Sequence, residues 1–184
     1  MVSKNRKLKF SQTCKVGSYH VKILAFDSIG SGNVDKLIQD FRAHSPTVKI
    51  QGFNSTIVLG KKHIIRVLQL TTELWNRGIK LSKTIETDLL MRLSLTDQIK
   101  KAIEVGGLKK DQPAYFILIS EDLTSLFDVE KRIKSSCVGK CYSALKVGSD
   151  KMKQFYDKYE IHGNNVNRIY IENTLVERAA LVQL

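Results

Sequence analysis

The chain has 184 residues, of which 42% are hydrophobic and 26% charged, and its formal net charge is +12. This composition is that of a globular protein, which excludes an intrinsically disordered chain, and the length predicts a single domain over residues 1–184. No apolar run approaches the roughly 20 residues that cross a bilayer, and no apolar stretch follows the basic segment Met1–Phe10. We therefore expect a cytoplasmic protein without a membrane partner.

The first third of the chain predicts a strand, a helix and a second strand. Tyr19–Asp27 is rich in β-forming residues and partly alternating, which predicts a strand. Apolar residues at helical spacing then predict a helix that begins near Val34 and ends before Pro46. Val48–Leu59 predicts a strand, or two short strands joined around its middle.

Three consecutive helices are predicted in the middle of the chain. Lys61–Arg77 carries its apolar residues along one face, and Gly78 follows as a typical helix stop. Ser82–Leu93 predicts the second helix and Thr96–Val105 the third, which two glycines close. These helices form the central unit of the expected fold.

The last third of the chain begins with a buried strand. Ala114–Ser120 is a short, nearly all-apolar run, which predicts a strand covered on both faces. Helices are predicted over Glu121–Lys134 and Asp150–Tyr159. The segment between them, Val138–Val147, is ambiguous but contains strand-forming residues.

A last helix is predicted at the C-terminal end. Thr174-Leu-Val-Glu177 has the spacing of a capping box, so we expect the helix to begin there and to continue through Leu181. Together the elements predict an α+β (mixed α/β) fold, in which helices cover a small mixed or antiparallel sheet and three of them follow one another in the middle.

The positive charge is unevenly distributed along the chain. Residues 1–60 carry nine Lys and Arg against three Asp and Glu, residues 61–110 eleven against five, and residues 111–184 ten against ten. A polyanion would therefore meet the basic region of residues 1–110, while the charge-neutral region of residues 111–184 builds core or meets protein. A basic surface that only water covers is an equally open alternative.

Motifs for catalysis or for a bound cofactor are weak or absent. No phosphate-loop, H-E-x-x-H or G-x-S-x-G pattern occurs. Gly30–Asp35 follows a predicted strand as a dinucleotide fingerprint does, but Asp35 replaces the third glycine, and a plain loop with a helix cap explains it. Cys14, Cys137 and Cys141 form no C-x-x-C pair, which predicts free thiols in a reducing compartment. We expect no enzymatic activity, no metal and no cofactor.

Gly60-Lys61-Lys62-His63 places two ammonium groups and an imidazole at the start of a predicted helix. The helix dipole is already positive at this end, so the local arrangement is unfavourable without a partner. Backbone N–H groups, two lysines and a histidine together suit a phosphate, which favours an anionic ligand. The alternative is that both lysines bend into solvent at a cost of about a few tenths of a kcal/mol.

Short motifs follow one another in a recognisable order from about Val48 to the C-terminus. They are Lys61-Lys62-His63, Ser82-Lys-Thr-Ile-Glu86 with Arg92 near the end of its helix, Ser94 with Gln98-Ile99, Ala102-Ile103, and Glu177-Arg178-Ala-Ala-Leu181. Together they resemble the small tRNA-binding subunit of the KEOPS complex, the family of the eukaryotic PRPK-binding protein, which has archaeal members of similar size. Asp88 stands where the family usually has a glutamate, and Leu95 where a glycine commonly follows the serine.

The resemblance implies a non-catalytic subunit of the complex that installs threonylcarbamoyl on an adenosine of tRNA. In that family the small subunit holds the single-stranded 3′ CCA end of tRNA and joins a kinase-like ATPase subunit. Single-stranded ends are bound through phosphates, stacking and base edges. We accordingly predict that Lys61 and Lys62 bind phosphates, that His63 stacks or donates, and that Arg92 and Gln98 contact base edges. A surface ion pair for Arg92 and a capping role for Gln98 remain open.

The apolar residues Ile99, Ile103 and Leu181 are predicted to meet the kinase-like subunit. Burial in the core is the rival interpretation, because an apolar helix face is more often interior than interface. Two other functions also remain open. One is a protein-only regulator that docks on and stimulates the kinase-like subunit without RNA contact. The other is an enzyme that acts on a nucleotide or an RNA end.

Overall fold

The structure is a computed structural model that describes residues 13–30, 32–142, 145, 148–162 and 167–182, without the side chain of Asp35. These residues contain one five-stranded sheet and seven α-helices, which confirms the predicted α+β fold. The strands are β1 (Cys14–Val16), β2 (Tyr19–Phe26), β3 (Lys49–Asn54), β4 (Ala114–Ser120) and β5 (Cys141–Tyr142). The helices are α1 (Val34–Ala43), α2 (Lys61–Asn76), α3 (Ile85–Leu93), α4 (Ile99–Gly106), α5 (Leu123–Ser136), α6 (Ser149–Lys158) and α7 (Arg168–Ala180).

The sheet has the strand order β1-β2-β4-β3, and β5 also pairs with β2. Each of these pairs is antiparallel. Because β4 pairs with β2 along its length, β1 and β5 share the other edge of β2. β4 lies between β2 and β3 and is buried at every residue, as its apolar sequence predicts.

Side-chain alternation along the strands divides the core into two layers. Tyr115, Ile117 and Ile119 of β4 pack with α2 and α3, whereas Phe116 and Leu118 pack with α1 and α5. Helices thus cover both faces of the sheet. A smaller apolar cluster joins α6 and α7 to the segment just before α2, so the C-terminal helices lie beside the start of α2.

α2 carries the predicted anion-binding residues, and its bounds agree with the prediction to within one residue. Its buried residues Ile64, Val67 and Leu68 recur at helical spacing. The helix follows Gly60, whose φ of 113° is strained for any residue with a side chain, and it ends before Gly78, which has a φ of 80°.

The predicted strand Val48–Leu59 is too long. β3 ends at Asn54, whose Oδ1 accepts the Thr56 N–H at 2.9 Å. This side-chain bond begins a 3₁₀ turn over Ser55–Ile57. An asparagine that bonds to the backbone two residues ahead favours a turn over an extended strand.

The predicted start of the last helix is also wrong. α7 begins at Arg168, because Asn167 caps it by accepting the Tyr170 N–H at 2.9 Å. Thr174 lies inside the helix, where its hydroxyl donates to the Tyr170 carbonyl at 3.0 Å. The capping-box spacing at Thr174–Glu177 therefore marks no helix start.

Smaller differences concern the ends of other elements. α3 and α4 each begin three residues later than predicted, and β1 is an unpredicted strand. β5 is the strand within the ambiguous segment Val138–Val147, of which residues 143–144 and 146–147 lie outside the described residues. No helix in the described regions of the chain has both the length and the apolar character needed to cross a membrane.

The three cysteines are free, as predicted. Cys137 is buried, and burial, with a smaller contribution from nearby Cys141, raises the pKa of its thiol to about 12. Cys141 is exposed on β5 and Cys14 is partly buried on β1. Cys137 is therefore the thiol that fits the role of a small hydrophobic core residue.

Candidate nucleic-acid interface

The first turn of α2 carries the two predicted phosphate-binding lysines. Lys62 is exposed and Lys61 is partly buried. Gly60 occupies the N-cap position, and no side chain caps the helix. The unbonded N–H groups of a helix start and adjacent ammonium groups make the same end positive, an arrangement that binds phosphate.

His63 lies in the interior, and this corrects its predicted role as an RNA contact. The residue is 2% exposed, and its Nδ1 accepts the Leu59 N–H at 3.3 Å. Burial, followed by the charges of Arg66 and Lys151, lowers the pKa of His63 to about 3. The imidazole is therefore neutral and supports the start of α2 from inside the protein, where an RNA base has no access.

Arg92 is also buried, so it is neither a base-edge contact nor a surface ion pair. It is 0% exposed, its Nε donates to Oδ1 of Asp88 at 2.7 Å, and its Nη1 donates to the Ala179 carbonyl at 3.0 Å. The guanidinium thus joins α3 to the end of α7. Arginine is a residue type that commonly contacts RNA, but α3 presents Arg92 to the core.

Gln98 is exposed at the N-cap position of α4, and its side chain makes no capping hydrogen bond. It remains available to a ligand. The other end of α4 packs against the 3₁₀ turn that precedes α2, since a Cβ on Gly106 would lie 2.7 Å from Ile57 of that turn. Gln98 lies about 12 Å from that end, at 1.5 Å per residue. It therefore does not adjoin Lys61 and Lys62 through this contact.

Two basic residues that the sequence did not indicate lie at the start of α2. Arg168, the first residue of α7, donates from Nη2 to the Leu59 carbonyl at 2.8 Å. Lys151 of α6 is partly buried, and burial, followed by the charge of Arg168, lowers its pKa to about 8. Both residues come from the charge-neutral region of the sequence, so composition gave no signal for them.

Neighbouring Arg66 differs from these two residues because its charge is compensated. Its Nη1 lies 3.3 Å from Oε1 of buried Glu172 and donates to Asn173 at 2.7 Å. Within the described residues, Lys151 and Arg168 form no ion pair with a carboxylate. The excess positive charge at this point therefore belongs to Lys151 and Arg168, not to Arg66.

The three residues predicted to meet a protein partner are exposed. Ile99, Ile103 and Leu181 are 46%, 52% and 57% exposed, which excludes the rival interpretation of core burial. Ile99 and Ile103 line a surface hollow of about 610 Å³, together with Ile38 and Leu108. Leu181 lies apart from this hollow, just beyond α7.

Among the described residues, no group of three His, Cys, Asp or Glu side chains is placed to hold a metal ion. A scan against protein-family models finds no match to this chain. A search of curated proteins finds none either.

Proposed function

We propose that the chain is a non-catalytic accessory subunit of the KEOPS complex, which binds the 3′ CCA end of tRNA and a kinase-like ATPase subunit in the cytoplasm. The order of short motifs, which resembles that of the KEOPS small subunit, supports the choice of this complex. The observation that carries the RNA-binding role is the basic cluster at the start of α2, where Lys61 and Lys62 lie in the first turn of a helix without a side-chain cap.

The cluster suits a phosphate backbone for electrostatic reasons. Lysine and arginine side chains neutralise phosphates, and an uncapped helix start adds backbone N–H donors. Lys61 and Lys62 keep their predicted role, and exposed Gln98 keeps its role as a base-edge contact. His63 and Arg92 act indirectly, by holding α2 and α3 in place.

The experiment is a titration of the protein with intact tRNA and with the same tRNA trimmed of its CCA end. It is done at near-physiological salt, where nonspecific phosphate binding is weak. We expect intact tRNA to bind and trimmed tRNA to bind much more weakly. Equal binding of both, or no binding of either, would contradict a site for the tRNA end.

A charge-reversed pair tests the location. Lys61→Glu with Lys62→Glu should abolish binding, since it replaces attraction to phosphate by repulsion. Lys131→Glu with Arg132→Glu is the matched control, because these two exposed residues lie on α5, on the other face of the sheet. If the two double variants weaken binding equally, tRNA responds to the net charge of the protein and not to a specific site on α2.

Exposed Ile99 and Ile103 favour a second candidate, a regulator that only docks on the kinase-like subunit. This function requires no RNA contact. It predicts that the ATPase activity of the kinase-like subunit rises on addition of this chain, with the Lys61→Glu, Lys62→Glu variant as effective as the wild type. Failure of the wild type to bind tRNA, together with this stimulation, would select the second candidate.

A further inference from the structure

Three surfaces outside the lysine pair on α2 have the character of a binding site: the hollow beside α4, the basic loop before α3, and the two cations beside Leu59. The hollow belongs to the proposed protein-docking face. The loop has no buried polar group aimed at a ligand. Lys151 and Arg168 differ, because partly buried Lys151 and exposed Arg168 are like charges that lie together, with no carboxylate paired to either in the described residues.

We propose that Lys151 and Arg168 are binding residues of the same site, and that they hold a phosphate group of the nucleic acid between α6, α7 and the first turn of α2. The identity of the ligand rests on the proposed function. The position rests on Arg168, whose guanidinium is fixed at 2.8 Å from the Leu59 carbonyl, two residues before α2 begins. Its remaining N–H groups form no other hydrogen bond within the described residues.

A phosphate would relieve the repulsion between these two cations. Lys151 already loses some of its charge near pH 8, because burial and Arg168 disfavour its protonated form. An anion between them favours that form again, so binding should take up a proton. The ligand would therefore compensate the charges of Lys151 and Arg168, because no carboxylate among the described residues pairs with them.

Burial and the charge of Arg168 lower the pKa of Lys151 to about 8. Arg168 on α7 faces Lys151 with its guanidinium, and His63 on α2 stays neutral because its pKa is about 3. Tyr115 on β4, which Arg168 also influences, has a raised pKa from burial. tRNA affinity should therefore fall as the pH rises above about 8, and Lys151→Arg should remove this fall because arginine stays charged.

The first test measures tRNA affinity against salt for Lys151→Met and Arg168→Gln. We expect weaker binding, and a slope of log affinity against log salt that is smaller by about 1 for each variant. Lys153→Met is the matched control, because Lys153 is exposed on the same helix. Affinity and slope equal to wild type in both variants would overturn the inference, while the CCA result would still decide the proposed function.

The second test does not depend on tRNA. The ε-carbon resonance of Lys151 is followed by NMR against pH, with and without inorganic pyrophosphate, and Lys153 serves as the internal reference. We expect pyrophosphate to raise the pKa of Lys151 by about one unit or more and to leave the Lys153 resonance in place at each pH. If pyrophosphate leaves the pKa of Lys151 unchanged, the inference is overturned. A raised pKa of Lys151 in a protein that does not bind tRNA supports the anion site and contradicts the proposed function.

Discussion

His63 shows at the scale of one residue how the start of α2 is held. Its Nδ1 accepts the Leu59 N–H, so the ring reaches back to the residue that precedes the N-cap Gly60. A protonated ring would lose this acceptor and would place a charge in the interior. Burial, followed by the charges of Arg66 and Lys151, lowers the pKa of His63, which links the stability of the helix start to pH.

We expect acid to destabilise the protein through His63. The folded-state pKa of about 3 lies below the ordinary 6.5, so this contribution is complete above pH 6.5 and is lost as the pH falls from there towards 3. The loss should reach at most about 1.4 kcal/mol per pH unit. Denaturant unfolding at several pH values, compared with His63→Gln, measures it. Parallel curves for the two proteins would contradict it.

Leu95 adopts a conformation that usually requires glycine. Its φ is 53°, in the left-handed region that costs an L-residue about 1–2 kcal/mol. The side chain packs against two apolar clusters, which offsets some of this cost.

At the scale of elements, Asp88 joins three segments of the fold. Its Oδ2 accepts both the Trp75 indole N–H and the Leu81 N–H at 2.7 Å, and its Oδ1 accepts from Arg92. Arg92 continues the network to the Ala179 carbonyl. α2, α3 and α7 are thus connected through one buried ion pair.

Arg92→Leu should destabilise the protein by about 3 kcal/mol, because it leaves the Asp88 carboxylate buried without its cation. Asp88→Leu with Arg92→Leu should cost less than the sum of the two single substitutions. Glu73→Leu with Arg77→Leu is the control: it removes an exposed pair of the same spacing, and we expect less than about 0.5 kcal/mol. Chemical denaturation measures all of these variants, and equal losses for the buried and exposed pairs would contradict the argument.

The outer edge of the sheet is covered by side chains of the protein itself. β3 is an edge strand, and its Ile50 carbonyl accepts from Nε of Arg42 at 2.9 Å. Arg42 also donates to Gln51, whose amide donates to the Gly52 carbonyl at 2.8 Å. Engaged carbonyls do not pair with a strand of another molecule, which protects the edge from aggregation.

At the scale of the whole molecule, folding changes where the positive charge lies. The sequence places all its excess charge before residue 111. The packing of α6 and α7 against Leu59 brings Lys151 and Arg168 to the first turn of α2. The proposed anion site therefore draws on both the basic and the charge-neutral regions of the chain.

The exposed apolar residues should matter for partner binding and little for stability. Ile99→Ser with Ile103→Ser removes the rim of the hollow beside α4, and we expect weaker binding to the kinase-like subunit with a change in unfolding free energy below about 1 kcal/mol. Leu181→Ser tests the end of α7 in the same way. Val138→Ser is the control, because Val138 is the most exposed large hydrophobic residue among those that the structure describes. Calorimetric titration against the kinase-like subunit measures the affinity of each variant. Unchanged affinity of the Ile99→Ser, Ile103→Ser variant would contradict a role of these residues in partner binding.

Local periodicity and glycine placement are enough to locate several elements from the amino-acid sequence. β2, β4, α1 and α2 lie where hydrophobic spacing predicts them, because that spacing reflects which face is buried. The end of β3 and the start of α7 differ from the prediction because the side chains of Asn54 and Asn167 accept backbone N–H groups there. One such hydrogen bond outweighs a weak local preference.

Which polar residues face water depends instead on the tertiary structure. His63 and Arg92 have the residue types of RNA contacts, yet both lie inside, because neighbouring elements supply their hydrogen-bond partners. Lys151 and Arg168 have no distinctive pattern in the sequence, yet they lie together at the start of α2. Whether a side chain is exposed, and which side chains lie near it, depends on contacts between residues that are distant along the chain. A local sequence pattern does not predict those contacts.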